Sequence, residues 1–470
     1  MNARLGVAGG APPPLPSPAD GGSFYAKHTK VYPREVEGRF DTLRRIAVFV
    51  LLGLFYLLPW LTWDGRQAVL FDLPARKFWL FGLVLWPQDF IYLTWILVLA
   101  GLSLFFVTAL AGRVFCGYAC PQTVWTEAFV WIEHMAEGDR AQRIKLDRAR
   151  WSVTKLVRKA FKQAAWLVLA LWTGLSFVGF FAPVGPLTRD FLTLSLSGWP
   201  LFWTLFYGAA TYANAGYMRE QVCKYMCPYA RFQSAMFDRD SLIITYDAAR
   251  GEPRGSRGRH VDYKAQGLGD CIECTLCVQA CPTGIDIREG LQYECIACAA
   301  CIDACDSVMD KVGYPRGLVR YTTQNALDGR PSRLLRPRTL VYATLLSVIF
   351  VAGLGGLLTR NIVGLDVIRD RNALYRETED NQIENVYTLR ILNKDQAAHT
   401  FALAVTGIAG ARIREGRASW HVEGGEVYSV AVRVSVPAGT IRGGRTIRFE
   451  LMATDAPAVR VVEKARFIAP

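Results

Sequence analysis

Eight of the twelve cysteines in this 470-residue chain fall between positions 271 and 305, at spacings that suit iron–sulfur clusters. Cys271-x2-Cys274-x2-Cys277-x3-Cys281-Pro282 is followed by Cys295-x2-Cys298-x2-Cys301-x3-Cys305. Three thiolates two residues apart wrap a short loop around a cluster, and the fourth of each run reaches across to the other. The spacing therefore assigns Cys271, Cys274, Cys277 and Cys305 to one 4Fe–4S centre, and Cys295, Cys298, Cys301 and Cys281 to a second. Zinc ribbons and disulfides are the competing uses of cysteine. Zinc sites take two thiolate pairs across a longer spacer and have no need of an interleaved octet. Asp306 stands where the second run usually has proline, which bears on the local turn more than on the ligand.

The other four cysteines form an internal repeat, Val114-Phe-Cys116-Gly-Tyr-Ala-Cys120-Pro121 and Val222-Cys223-Lys-Tyr-Met-Cys227-Pro228. Residues four apart on a helix share a face, about 6 Å apart, and proline would end the helix beyond each pair. Two such hairpins side by side would bring four sulfurs to one membrane surface. Buried structural cysteine is the plain reading of a single pair; two pairs alike in spacing, following proline and position argue for a metal. Thiolate is soft and selects Cu(I), Zn(II) or iron–sulfur clusters, and the spacing does not choose among them. Met218, Met226 and Met236 add thioethers nearby, and His134 is a further candidate ligand, although packing is the commoner role of such residues. Tyr212 and Asn214 are placed either to line an ion or quinone path or, more ordinarily, to hydrogen-bond between helices.

The elements that position these groups read as a membrane protein. A net charge of +13 beside 51% hydrophobic residues fits apolar runs alternating with basic ones. Nucleic-acid binding is the other reading of a basic chain, but Lys and Arg cluster beside apolar segments and no nucleic-acid module is legible. Five stretches approach the roughly 20 apolar residues that span a bilayer: Ile46–Trp63, Phe90–Leu110, Ala164–Phe181, Trp199–Tyr217 and Leu340–Leu358. The shorter run Phe78–Trp86 reads as an interfacial segment. Basic residues gather before the first span, from Lys27 to Arg45, and after the second, from Arg140 to Lys159. By the positive-inside rule these segments, and the ferredoxin segment, are expected in the cytoplasm, with everything after Leu358 in the periplasm. All twelve cysteines then fall on the reducing side.

The expected organisation is multidomain. Residues 1–40 form a disordered cytoplasmic tail, rich in proline around Ala11–Gly22 and with no signal peptide. Residues 41–246 form an α-helical membrane domain with four spans in two hairpins, and 247–330 the two-cluster ferredoxin domain, entered through a Gly- and Arg-rich linker from Ala248 to Gly269. Residues 331–360 carry the fifth helix. From 361 to 470 the pattern changes to short alternating segments such as Val386–Leu392 and Val427–Val436, punctuated by Gly, Pro, Asn and Asp. This predicts an all-β immunoglobulin-like sandwich of about seven strands, with no visible catalytic constellation.

The order of motifs resembles the cytochrome c oxidase accessory protein family CcoG/FixG, with its RdxA/RdxB-like membrane polyferredoxins. Besides the octet, the resemblance is carried by the segments 66–77 (RQAVLFDLPARK), 86–90 (WPQDF), Cys116-Gly-Tyr-Ala-Cys120-Pro121, and 215–232 (AGYMREQVCKYMCPYARF). It implies an inner-membrane iron–sulfur electron-transfer protein that reduces Cu(II), supplying Cu(I) for assembly of cbb3-type cytochrome c oxidase. Copper, as substrate or bound ion, would sit at Cys116, Cys120, Cys223 and Cys227. The implied partners are the lipid bilayer, oxidase-assembly or copper-delivery proteins, and an electron donor that no motif names. Two other functions fit the same motifs: a quinol-linked electron conduit to a partner, and a non-catalytic assembly scaffold whose clusters are structural.

Overall fold

The computed structural model describes residues 30–258, 262–414 and 419–470, so the expected tail lies outside the described residues as far as residue 29. Helix α1 (Arg39–Leu57) runs through a short 3-10 turn toward a three-stranded antiparallel sheet of β1 (Val69–Asp72), β2 (Lys77–Leu80) and β3 (Leu83–Leu85). The run Phe78–Trp86, expected as one interfacial segment, is instead two strands and their turn. Helix α2 (Phe90–Ala111) returns the chain to α3 (Val114–Tyr118), α4 (Pro121–Glu137) and the basic α5 (Arg140–Arg148).

Next come α6 (Val153–Val178), α7 (Val184–Leu192) and α8 (Gly198–Thr211). Helices α6 and α8 approach through small residues: a Cβ on Gly174 would lie 2.2 Å from the Thr204 carbonyl oxygen, the close contact that glycine permits between apolar helices. The stretch Trp199–Tyr217 is not one uniform α-helix. It is α8 continued by π-helical turns over Tyr212–Met218, and a second π-helical segment spans Val222–Met226. Tyr212 donates from its hydroxyl to Gln163 on α6 at 2.7 Å, which is the helix-to-helix role.

Helix α9 (Pro228–Ser234) leads to β4 (Ile243–Tyr246), then α10 (Leu276–Ala280), α11 (Ala300–Val312) and β5 (Val319–Thr322), which pairs antiparallel with β4. Helix α12 (Pro337–Leu358) packs on α2, where the Trp95 indole donates to the Ile349 carbonyl at 2.8 Å. Among the described residues, four helical segments are long and apolar enough to cross a membrane: Arg39–Trp60, Phe90–Ala111, Val153–Val178 and Pro337–Leu358. At 1.5 Å per residue, the 22-residue α12 is about 33 Å long, against a hydrocarbon core of about 30 Å.

The C-terminal unit is an immunoglobulin-like pair of sheets. One is built from β6 (Val363–Arg369), β7 (Arg376–Thr378), β8 (Gln382–Asn393), β10 (Arg412–Ile413) and β12 (Val427–Pro437). The other holds β9 (His399–Thr406), β11 (Ser419–Val422), β13 (Gly443–Ala453) and β14 (Arg460–Ala469). Alternation places Tyr387, Leu389 and Ile391 of β8 against Phe401, Phe449 and Phe467 of the facing sheet, all fully buried. The two strands beyond the expected seven are explained by the shortness of β7 and β10, too brief to show a period of two. Asp89, at the start of α2, holds this unit by pairing with Lys394 at 2.9 Å and Arg360 at 3.5 Å. At the other end of α12, Arg336 pairs with Asp238 and donates to the Ala109 carbonyl, near the end of α2. The sandwich and the cysteine-rich unit therefore sit at opposite ends of the α2–α12 pair.

Candidate redox metal centre

The two cysteine runs fold into loops of matching shape. In each, the residues flanking the second cysteine have positive φ: Glu273 and Thr275 around Cys274, Ala297 and Ala299 around Cys298, between 55° and 61°. Left-handed conformations at non-glycine residues are costly and cluster at functional sites. One small cavity is lined by Cys271, Cys274, Cys277 and Cys305. A second is lined by Cys281, Cys295, Cys298 and Cys301, together with Cys277 of the first run. Helix α10 stops before Cys281-Pro282, whereas α11 runs on through Cys305, because Asp306 lets the helix continue and accepts from the Gly317 amide at 2.9 Å.

The donor set fits clusters better than single ions. All twelve cysteines are free thiols. Among the described residues, the only three His, Cys, Asp or Glu ligand atoms lying within 4.8 Å of one another belong to Glu35, His134 and Asp139. A zinc ion with bonds of about 2.3 Å would draw its sulfurs to about 3.8 Å apart, and neither quartet is that closed. Burial pushes the Cys277 and Cys298 thiols up to about 11, and those of Cys295 and Cys305 up to about 12. These thiols are neutral without metal, so loading a cluster must release protons.

The membrane-domain cysteines differ from the helix-face expectation. Cys116 lies in α3, but Cys120 is the N-cap of α4 and Pro121 opens that helix. Likewise Cys223 lies in the π-helical segment, and Cys227 is the N-cap of α9, opened by Pro228. Proline is as well suited to the first turn of a helix as it is harmful inside one, so each Cys-Pro starts the next helix. The four thiols are still mutual neighbours. After burial, the influence of Cys120 and Cys227 helps push Cys116 up to about 11, and Cys120, Cys116 and Cys227 do the same for Cys223, up to about 12, while Arg113 pulls both down. His134 is not with them: it lies fourteen residues beyond Cys120, about 21 Å along α4. Of the three methionines, Met226 is exposed.

Thiols and cluster loops meet directly. Cys116 and Cys298 are buried in one apolar cluster with Ala280, Ile296, Ala300 and Ala304, and Cys223 packs against it. The backbone of Gly117 lies against Ala297 and Cys298. Arg113 donates to Gln233 at 2.7 Å and also to the Tyr293 carbonyl in the spacer between the cysteine runs. Arg44 of α1 donates to the Cys298 carbonyl at 2.7 Å, and Tyr321 to the Ala297 carbonyl at 2.5 Å. Asp303 of α11 caps α1: its carboxylate accepts from the Phe40 amide at 3.3 Å and the Asp41 amide at 2.7 Å. Gly38, at the N-cap position, has no side chain to do so. Arg113, Arg44 and Asp303 were not legible as site residues. Arg113 and Arg44 are charges beside apolar runs, which read as membrane-flanking, and their partners lie 180 and 254 residues away.

A buried ion cluster lies among α4, α5 and α6. Glu133 pairs with Arg219 at 2.7 Å, Lys162 at 3.4 Å and Arg143 at 3.5 Å. Burial alone would raise the Glu133 carboxyl, but Arg219, Lys162 and Lys30 together bring it down to about 2. The cluster ties α4, α5 and α6 to the segment between the π-helical turns.

Comparison with known proteins follows the same division. Residues 218–324 match a family described as a 4Fe-4S dicluster domain, and 92–135 one described as a 4Fe-4S binding domain. Residues 353–470 match an IG-like fold found at the C-terminal of FixG. The chain is 37% identical to the nitrogen fixation protein FixG of Rhizobium meliloti, over 96% of this chain and 94% of that protein. It is 43% identical to protein RdxA of Cereibacter sphaeroides, over 83% of this chain and 85% of the other. Among solved structures, a FixG-related protein from Vibrio parahaemolyticus is 29% identical, covering 23% of this chain and 96% of that one, with a TM-score of 0.21.

Proposed function

Because this chain belongs to the FixG family, we propose that it is a membrane-anchored oxidoreductase that reduces Cu(II) to Cu(I) at Cys116, Cys120, Cys223 and Cys227. The observation that carries the reading is the packing of Cys298 with Cys116 and Cys223 in one apolar cluster. Cys271, Cys274, Cys277 and Cys305 would hold one 4Fe–4S cluster, and Cys281, Cys295, Cys298 and Cys301 the other. When bound, the clusters supply single electrons from a low-potential one-electron carrier, and each electron converts one Cu(II) to one Cu(I). The chain's own residues set the conditions. Arg113 favours the thiolate form of Cys116 and Cys223 against the effect of their burial, and soft thiolate stabilises Cu(I) over Cu(II). The apolar packing between Cys116 and Cys298 keeps water from the interval.

In this reading α8 with its π-helical continuation is a fifth span, beside the four longer apolar helices. The ferredoxin domain, residues 247–330, faces the cytoplasm with the basic segments, and the sandwich, 361–470, faces the periplasm. Cu(I) leaves to copper-delivery proteins or to assembly of a cbb3-type oxidase. The test is the double variant Cys116→Ser/Cys223→Ser: cupric reduction by the chemically reduced protein should be lost, while iron stays at about eight per chain. Unchanged copper reduction would sink the proposal.

A different observation favours a second reading. The 4Fe-4S binding family matched at residues 92–135 contains Cys116 and Cys120, and no three of the four membrane thiols lie within 4.8 Å of one another. In that case they hold a further iron–sulfur cluster. About twelve irons per chain, falling to about eight in the double variant, would select it.

A further inference from the structure

We propose that Glu35, His134 and Asp139 form a capture site for Cu(II), at the mouth of a cavity that leads along α4 to Cys223. The inference rests on the copper-reducing reading and names where its substrate enters. His134 Nε2 lies 2.7 Å from an Asp139 carboxylate oxygen and 3.2 Å from one of Glu35. One ring nitrogen carries at most one hydrogen, so it cannot serve both carboxylates with a full hydrogen bond. A cation in place of that hydrogen can engage all three. Ligands about 2.0–2.2 Å from one metal ion stand roughly 3 Å apart, which two of these three pairs already approach.

Imidazole with carboxylate is a borderline-to-hard donor set, and Cu(II) heads the divalent order at such sites. The thiols at the other end are soft and favour Cu(I). The two ends thus match the two oxidation states of one ion.

The cavity is an independent observation. It has a volume of about 120 Å³, and Glu35, His134, Cys223 and Cys298 all line it. Along α4 its wall is Thr123, Glu127, Val130 and His134, three or four residues apart and so on one helix face. From His134 to Thr123 this face covers about 16 Å, and the Thr123 hydroxyl donates to the Cys116 carbonyl at 2.5 Å. Glu127, midway, makes no side-chain hydrogen bond or ion pair among the described residues, and burial raises its carboxyl above the ordinary range. Arg44, Arg143 and Arg219 also line the cavity, but each is paired with a buried carboxylate. Arg45, 3.4 Å from the other Glu35 oxygen, leaves Asp139 and His134 as the stronger contributors.

The test uses the full chain with Cys116, Cys120, Cys223 and Cys227 all changed to Ser and the clusters oxidised, so that added Cu(II) stays Cu(II). Titration followed by electron paramagnetic resonance should show a bound Cu(II) coupled to one imidazole nitrogen. Adding His134→Ala should abolish that signal, and Glu35→Gln should weaken binding by at least about 10-fold, the least that loss of even an outer ligand partner costs. Iron content serves as the check on folding. With the four cysteines restored, His134→Ala should raise the copper concentration for half-maximal reduction and leave the maximal rate within about twofold. An unchanged Cu(II) signal in His134→Ala would overturn the capture site and leave the reductase reading intact. A signal that depends on His134, in a protein that reduces no copper, would sink the reductase reading and keep the site.

Discussion

Gly117 and Cys298 touch through their backbones: a Cβ on Gly117 would stand 2.9 Å from the Cys298 Cα and 2.8 Å from the Ala297 carbonyl oxygen. Neither neighbour is a side chain that can swing away. Gly117→Val should therefore push the cysteine loop off α3, at an overpacking cost of about 1–3 kcal/mol. Iron content should survive, while electron transfer from reduced clusters to Cu(II) slows by an order of magnitude or more, since a misplacement of about 1 Å can cost on the order of 10²-fold. Stopped-flow recovery of the cluster absorbance on adding Cu(II) measures it, and an unaltered rate would remove this contact from the electron path.

Cys281 belongs by sequence to the first run but lines the cavity of the second. Cys281→Ser should damage the cluster held with Cys295, Cys298 and Cys301 and spare the one at Cys271, Cys274, Cys277 and Cys305. Loss of the magnetic interaction between two reduced centres, with one centre's signal kept, is the expected spectrum.

Glu133 offers a pH test. Its folded value of about 2 lies below the ordinary 4.5, so its stabilisation is full above about 4.5 and is lost as pH falls toward 2. Glu133→Gln should destabilise the neutral-pH protein by about 3–5 kcal/mol, because Arg143, Lys162 and Arg219 lose a shared buried partner. It should also flatten the acid limb within that window. Denaturant midpoints from tryptophan fluorescence, taken on both sides of the window, give both quantities.

The sandwich and the cysteine-rich unit lie at opposite ends of α12, so a periplasmic sandwich requires the cysteine-rich unit to face the cytoplasm. A phosphatase reporter fused after Pro470 should be active, and one fused after Asp310 inactive. The reverse pair would invert the topology.

The parts of this protein legible in its sequence are those written in local periodicity. The octet marks the 4Fe-4S dicluster unit, and alternation in Val427–Val436 marks the sandwich. Cys120-Pro121 shows where such reading stops. Proline after a helical cysteine can close one helix or open the next, and only the surrounding chain decides. The run Phe78–Trp86 is apolar enough for a membrane surface, and its short strands are specified by pairing with Val69–Asp72, not by a period of their own. Arg113, Arg44 and Gly117 were invisible for another reason. Each acts on a residue more than 170 positions away, and a single chain carries no mark of such distant contacts.

Asp303 caps a helix made long before it. Its carboxylate closes the first turn of α1 from 262 residues downstream, and at about 5–20 residues per second the ribosome needs roughly 13–52 s to reach it. During that interval the first amides of α1 lack this cap. The cap arrives on α11, the helix that carries Cys301 and Cys305. The first long apolar helix of the chain thus has its end closed only once the second cysteine run has been made, so a contact within the folded protein joins its earliest helix to one of its later ones.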